Sequence, residues 1–318
     1  MKFYFAPMEG ITGRIYRNAF HDFFQGVDRF YSPFISSNQE GVVKGRSRKD
    51  VLPENNQGIH LIPQILSNNP EQCLQTIKEL QNLGYDEVNL NFGCPSRTVV
   101  SKGKGSGFLA KPDELDRFLY ELFEKSELPI SVKTRVGKDS PDEFAHLLEI
   151  YNQYPLAELI VHPRIQQDFY KNTPKWDVFA LAYENCKSPL CYNGDLFTKE
   201  DYEHCIQTFP KLESVMLGRG LLCNPGLVTW ITEGKVIDKN HLRKFHDRLY
   251  ADYMEEMSGD RPLLFKMKEL WLYMIHLFSD SEKYGKKIKK ANHLGEYEAI
   301  VNKLFAEQEI VMSQGYEP

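Results

Sequence analysis

Short apolar runs along this chain take turns with longer stretches in which apolar residues return every three to four positions. Runs of the first kind, rich in Val, Ile, Leu and aromatic residues, predict strands over Phe3–Met8, Arg29–Ser32, His60–Leu66, Glu87–Asn91, Pro129–Thr134, Glu158–His162, Pro189–Tyr192 and Ser214–Leu217. The longer stretches predict helices. Pro70–Leu83 puts Cys73, Ile77 and Leu80 on one face, and Pro112–Lys125 does the same with Leu115, Phe118, Leu119 and Phe123. Asp142–Tyr151, Trp176–Glu184 and Thr198–Thr208 repeat the theme, the last opened by Thr198 as an N-cap with Asp201 in the first turn. The polar, charged segment Gln39–Gln57 reads as a surface excursion after the second strand. From about Lys235 the strand signals stop, and Asn240–Met257, Leu263–Phe278 and Glu296–Val311 all read as helices.

Eight strands, each followed by a helix or loop, predict an α/β fold: a closed parallel (β/α)8 TIM barrel over residues 1–235, then a small C-terminal helical domain over 236–318. An open doubly wound sheet is the alternative, but it needs a glycine-rich turn after the first strand, and Ala6–Gly10 lacks one. The length of 318 residues suits a barrel of roughly 250 residues with an addition. With 42% apolar and 26% charged residues, the balance is that of an ordinary globular protein. No signal peptide and no membrane span is expected. Cys73, Cys94, Cys186, Cys191, Cys205 and Cys223 form no CxxC pair or metal-ligand spacing, so no metal is expected and a cytoplasmic location is the simplest reading. The net charge of −5 counts against nucleic-acid binding unless basic residues cluster.

In a parallel barrel, residues just past the C-terminal end of each strand share one mouth. These are Pro7, Met8 and Glu9 after the first strand, Gln64 on the third, and Asn89 and Asn91 on the fourth, with Gly93–Cys94–Pro95 beyond. Lys133 and Arg135 follow on the fifth, His162 and Arg164 on the sixth, Asn193–Gly194–Asp195 on the seventh and Gly218–Arg219–Gly220 on the eighth. Glycines after strands seven and eight let backbone N–H groups approach an anion, and barrels often hold phosphate there. Lys133, charged inside an otherwise apolar strand, is either half of a structural ion pair or a fixed positive charge beside an electron-rich cofactor ring. Gln64 can donate and accept, as the pyrimidine edge of a flavin requires. A lone cysteine is usually a small core residue, but Cys94 sits between Gly93 and Pro95, a poor place for packing. Gly103, Gly105 and Gly107 mark a mobile or closely packed loop after it.

APMEG, IPQIL, NLNFGCPS, GSGFLAKP, SVKTRVG, IVHPR, YNGD and MLGRG stand in an order and spacing that resemble the tRNA-dihydrouridine synthases from about residue 4 to 226. The resemblance implies a flavin barrel with a helical domain, which uses FMN and NADPH to reduce particular tRNA uridines. It implies that Pro7, Met8, Glu9, Gln64, Lys133, His162, Asn193, Gly194, Asp195, Gly218 and Arg219 contact FMN. Cys94 matches the catalytic proton donor; Asn91, Arg135 and Tyr170 match positions that hold the target base. One departure is His162–Pro163–Arg164, where the family usually has glycine in the middle. Proline fixes φ and removes an N–H, which changes the loop.

The chemistry suits these residues. Hydride from flavin N5 adds at C6 of uracil, leaving charge over C5 and O4, and a thiol with an unperturbed pKa of ~8.5 can protonate C5. Thiolate attack on C6 ranks below this, because the flavin already supplies the nucleophile. A monomer is expected. For tRNA binding, Lys283, Lys286, Lys287, Lys289 and Lys290 form an acid-free cluster, near Lys266, Lys268 and Trp271 in sequence. Most such runs are solvated helix faces. Two other readings stay open: a flavin barrel acting on a small pyrimidine, as dihydroorotate dehydrogenases do, and a non-catalytic tRNA-binding flavoprotein.

Overall fold

The computed structural model describes residues 1–40 and 42–312. All ten of its paired strands run parallel in one sheet. They are β1 (Lys2–Phe5), β2 (Arg29–Tyr31), β3 (Ile35–Ser36), β4 (Leu61–Ile62), β5 (Gln64–Leu66), β6 (Val88–Phe92), β7 (Ile130–Gly137), β8 (Leu159–Ile165), β9 (Leu190–Tyr192) and β10 (Ser214–Leu217). From β5 the pairing runs in order to β10, then to β1 and β2. β2 pairs with β4 and β3 with β5, while Pro63 alone separates β4 from β5. The second and third barrel strands are thus each split in two, and the circle closes as a (β/α)8 barrel.

Each expected strand is found, Ser214–Leu217 with the expected ends and the others with shifted ends. The second resumes as β3 beyond Pro33, and β7 and β8 run past their expected ends to Gly137 and Ile165. Helices occupy Pro70–Asn82, Pro112–Lys125, Glu143–Tyr151, Trp176–Asn185 and Lys199–Thr208, close to expectation. The Thr198 hydroxyl accepts from the Asp201 N–H at 3.1 Å, and Asp201 returns the bond to the Thr198 N–H at 2.9 Å, a reciprocal cap. An additional helix, Arg14–Phe23, buries Tyr16, Arg17, Ala19 and Phe20. The excursion 39–57, apart from Gly41, is tied down more firmly than its composition predicts. Its helix Gly45–Val51 buries Val51, and Asp50 pairs with buried Arg17 at 3.0 Å.

Side-chain parity along the strands divides the interior. Phe3, Phe5, Phe30, Leu61, Ile65, Val88, Leu90, Ile130, Val132, Leu159, Val161, Val215 and Leu217 join the large core shared with the helices. The alternate residues Tyr4, Ala6, Tyr31, Ile62, Ile160, Cys191 and Met216 form a separate apolar plug inside the barrel. At the N-terminal ends of the strands, Glu158 Oε1 accepts from Tyr4 Oη at 3.2 Å and Ser214 Oγ at 2.7 Å. Beyond this floor lies a cavity of about 560 Å³ lined by Tyr4, Arg29 and Glu158. It contains none of the expected site residues.

After Leu227–Glu233 the described chain is helical: Lys239–Glu256, Asp260–Met274, Ser281–Lys290 and Leu294–Glu307. Phe245 packs against Tyr16 and Phe24 with ring centroids 5.7 and 5.0 Å apart, joining these helices to the barrel's first helix. The Lys266 ammonium donates to Gly10 O at 2.7 Å, fixing Asp260–Met274 at the barrel mouth. Residues 313–318 of the expected C-terminal domain lie outside the described residues. No described helix is long and apolar enough to cross a membrane.

Candidate functional site

One strand position pair above the apolar plug, the inward residues turn polar. Moving two residues along β8 leads from Ile160 to His162 and then Arg164; along β7, from Ser131 to Lys133 and Arg135; along β6, from Asn89 to Asn91. This period of two explains why charged and amide side chains from strands far apart in sequence meet at one end.

They meet in a cavity of about 300 Å³. Ten expected residues line it: Pro7, Met8, Glu9, Gln64, Asn91, Cys94, Lys133, Arg135, His162 and Tyr170. A second hollow of about 40 Å³ is lined by Asn193, Gly194, Asp195, Gly218 and Arg219. The two share Pro7, Met8, Lys133, His162 and Tyr170 as walls. All the expected site residues are therefore brought together. Among the described residues, no group of three or more His, Cys, Asp or Glu is arranged to hold a metal ion.

A chain of amides builds one wall. Asn89 Nδ2 donates to Ser131 Oγ at 3.0 Å, Gln64 Nε2 to Asn89 Oδ1 at 2.8 Å, and Asn91 Nδ2 to Gln64 Oε1 at 2.6 Å. Asn91 Oδ1 in turn accepts from the N–H groups of Gly93 at 3.1 Å and Cys94 at 2.9 Å. Asn91 thus orients the cysteine loop and keeps only its second amide N–H for another partner. Beyond Cys94, its carbonyl accepts from Ser106 N at 3.1 Å and Ser106 Oγ at 2.9 Å. Of the two characters expected for the glycine loop, the structure shows close packing. A Cβ on Gly105, which has φ +55°, would lie 2.7 Å from Cys94 O, and one on Gly107 2.7 Å from Val100 O. Burial pushes the Cys94 thiol pKa up, offset in part by a backbone hydrogen bond at Ser96. The thiol is held protonated.

Arg135 is almost wholly buried, and three of its five guanidinium N–H groups go to backbone. It donates to Gly93 O at 2.9 Å, Ile165 O at 2.8 Å and Phe169 O at 2.7 Å, clasping the cysteine loop to the loop after β8. The Tyr170 ring centroid lies 5.4 Å from the Arg135 guanidinium and 4.7 Å from that of Arg219. Lys133 makes no hydrogen bond or ion pair among the described residues. Its pKa is lowered to about 8, first by burial and then by Arg135.

Arg164 lies on the inward face beyond His162, and sequence reasoning gave it no role. Its Nη1 donates to His162 Nε2 at 3.0 Å and to Asp195 Oδ1 at 2.9 Å, Nη2 bonds Asp195 Oδ2, and Nε donates to Asn172 O at 2.5 Å. Asp195 Oδ1 also accepts from Arg219 Nη2 at 2.6 Å. Burial, followed by Arg135 and Lys133, drives the His162 pKa well down, so the ring is neutral. The register of β7 on β8 shifts between Arg135 and Gly137, opposite Pro163–Arg164, so the proline sits in a bulge where the ladder needs no N–H from it. Phe34, Phe169 and Tyr273 also line the larger cavity unforeseen. Tyr273 arrives from Asp260–Met274, and no local sequence signal ties that helix to the mouth.

Comparison with known proteins agrees with this arrangement. The Zymomonas mobilis old yellow enzyme homologue superposes with a TM-score of 0.53 at 11% identity, over 77% of this chain and 92% of its own. The Trypanosoma cruzi old yellow enzyme gives 0.51 at 11%, over 78% and 92%. These likenesses show the barrel fold. Among sequences, a Pseudomonas putida tRNA-dihydrouridine(16) synthase is 29% identical over 235 residues, 71% of this chain and 72% of its own length. A Vibrio parahaemolyticus tRNA-dihydrouridine(16) synthase is 24% identical over 314 residues, 92% of each chain. Residues 4–311, nearly the whole chain, match the dihydrouridine synthase family, and the chain belongs to it.

Proposed function

We propose that this protein reduces the C5=C6 bond of specific tRNA uridines with FMN as cofactor and NADPH as reductant, in the cytoplasm and as a monomer. The observation that carries the reading is Cys94, a half-buried thiol held protonated at the edge of a cavity that also presents a lysine with no partner among the described residues. The residues fit a flavin. Lys133 is a cation with no protein partner among the described residues, and an electron-rich ring that gains charge on reduction supplies one. Gln64 and His162 line the same cavity, while Pro7, Met8 and Glu9 form its wall at β1. Asn193, Gly194, Asp195, Gly218 and Arg219 would hold the phosphate end in the smaller hollow.

Bound FMN supplies the hydride to uracil C6. The chain's own part is to hold the base and place a proton. Tyr170 presents a ring face, and Asn91 offers its remaining amide N–H. Arg135 acts by fixing the loops that carry Cys94 and Tyr170. The thiol donates to C5, and its raised pKa favours donation over thiolate attack. Residues 236–318 form the tRNA-binding domain, with Lys283, Lys286, Lys287, Lys289 and Lys290 exposed on Ser281–Lys290 while Tyr284 and Ile288 pack inward. A small-pyrimidine enzyme would need neither that helix nor its charge. The decisive experiment incubates the FMN-loaded protein and NADPH with unmodified tRNA and maps dihydrouridine. Formation of dihydrouridine at one or a few positions supports the reading; NADPH-dependent reduction of a free pyrimidine with none in tRNA replaces it.

A further inference from the structure

The loop that carries Cys94 holds charge that the protein does not neutralise. From Pro95 to Pro112 it contains Arg97, Lys102, Lys104 and Lys111 and not one acid. Lys111 pairs with Glu114 at 3.0 Å. Arg97, Lys102 and Lys104 make no ion pair and no side-chain hydrogen bond among the described residues. Arg97 and Lys102 are exposed, and so are the hydroxyl-bearing Ser96, Thr98 and Ser101 beside them. Lys104 is half-buried, and its pKa is lowered by burial and by Lys102 beside it. Two like charges placed together without a counter-ion cost stability. They are also not loosely placed. Asn68 Nδ2 donates to Lys102 O at 3.0 Å and Gly103 O at 3.2 Å, and Ser106 ties the far end of the loop to the Cys94 carbonyl. The same loop lines the larger cavity through Cys94, Pro95 and Ser96. The cations thus follow the Cys94 thiol along one loop, tied down at Lys102, Gly103 and Ser106.

We propose that Arg97, Lys102 and Lys104 bind the sugar-phosphate backbone of the RNA strand beside the target uridine. This rests on the reading of tRNA as substrate and places a docking surface on the barrel, apart from the C-terminal helix. The occupant is polyanionic because the surface offers three unneutralised cations and hydroxyl donors without an acid. Phosphates hold the register of a bound strand without reading its bases. Anchored to the loop that bears Cys94, they would set the uridine's height over the thiol.

The test measures binding of the FMN-loaded protein to a tRNA transcript and to a short uridine-containing single-stranded oligoribonucleotide across a salt series. Arg97→Gln, Lys102→Gln and Lys104→Gln together should weaken both. The slope of log K against log[salt] should flatten by about 0.7–0.9 for each phosphate no longer engaged, roughly 2 to 3 in all. Lys102→Arg with Lys104→Arg should keep the wild-type slope, because charge and not lysine chemistry holds the phosphate. FMN uptake by each variant reports that the barrel is folded. Wild-type affinity and slope in the triple Gln variant would overturn the inference and leave the tRNA reading intact. A wild-type protein that binds neither RNA overturns both.

Discussion

Arg164 donates from Nη1 to His162 Nε2 across 3.0 Å, in a setting where both side chains are buried. Guanidinium nitrogens donate and do not accept, so Nε2 must be the acceptor and the neutral ring carries its proton on Nδ1. Asp195 holds Arg164 in place from the other side. Arg164→Met should release this constraint. Nitrogen-15 NMR of the imidazole should find Nδ1 protonated in the wild type and a mixture with the Nε2 tautomer in the variant, together with weaker FMN binding. An unchanged tautomer in the variant would mean that Arg164 does not set it.

On the proposed mechanism, Cys94 should separate the two half-reactions. Cys94→Ala should accept reducing equivalents from NADPH nearly as well as wild type, yet lose about 10²–10⁴-fold in uridine reduction, the usual contribution of a positioned proton donor. Stopped-flow flavin reduction against single-turnover dihydrouridine formation measures the split. The raised thiol pKa also fixes a direction with pH: uridine reduction should hold through neutrality and fall at alkaline pH as the thiol ionises. A normal rate in Cys94→Ala would remove the cysteine from the mechanism.

Lys133 should trade stability for function. Its folded pKa of about 8 lies below that of an unfolded lysine, so the charged form is disfavoured by folding. The penalty is full below about pH 8 and fades as pH rises toward the unfolded value, so apoprotein stability should increase across that window. Lys133→Met should remove this contribution to the slope and stabilise the apoprotein near neutrality by up to about 3 kcal/mol, while weakening FMN. Denaturant melts of both apoproteins from neutral to alkaline pH check it; parallel curves would show that Lys133 carries no penalty.

Much of this site was legible because barrels place strand ends together and strand parity is strict. Glu158, Ile160, His162 and Arg164 alternate on one side of β8 and its approach, so the residues of the site follow from the period once the strands are located. Arg164 escaped assignment although it lies on that side, because its role depends on Asp195 from the next strand's end. The helix Arg14–Phe23 carries Arg17 within its buried face, which interrupts the apolar stripe. Thr12, just before the helix, and Asp50 and Asn56, from the excursion, take up that arginine's hydrogen bonds. Tyr273 reaches the mouth through tertiary packing of Asp260–Met274, on which the local sequence is silent.

The C-terminal helix gives the last prediction. Ser281–Lys290 turns Tyr284 and Ile288 inward and leaves Lys283, Lys286, Lys287, Lys289 and Lys290 exposed. Lys286 pairs with Glu282 and Lys283 approaches Asp280 at 3.8 Å, but exposed pairs of this kind are worth little and yield readily to a phosphate. Lys287, Lys289 and Lys290 make no ion pair among the described residues. Replacing Lys286, Lys287, Lys289 and Lys290 with Gln should therefore raise the dissociation constant for tRNA and flatten its salt slope by about 0.7–0.9 for each phosphate that the variant leaves unbound. FMN content should not change, since this helix contributes no residue to either hollow at the mouth. The short oligoribonucleotide, which can occupy the barrel mouth without extending to the helix, should bind the variant as it binds wild type. Equal tRNA affinity and slope in the two proteins would identify the lysines as an ordinary solvated face, with the docking charge carried by the barrel alone.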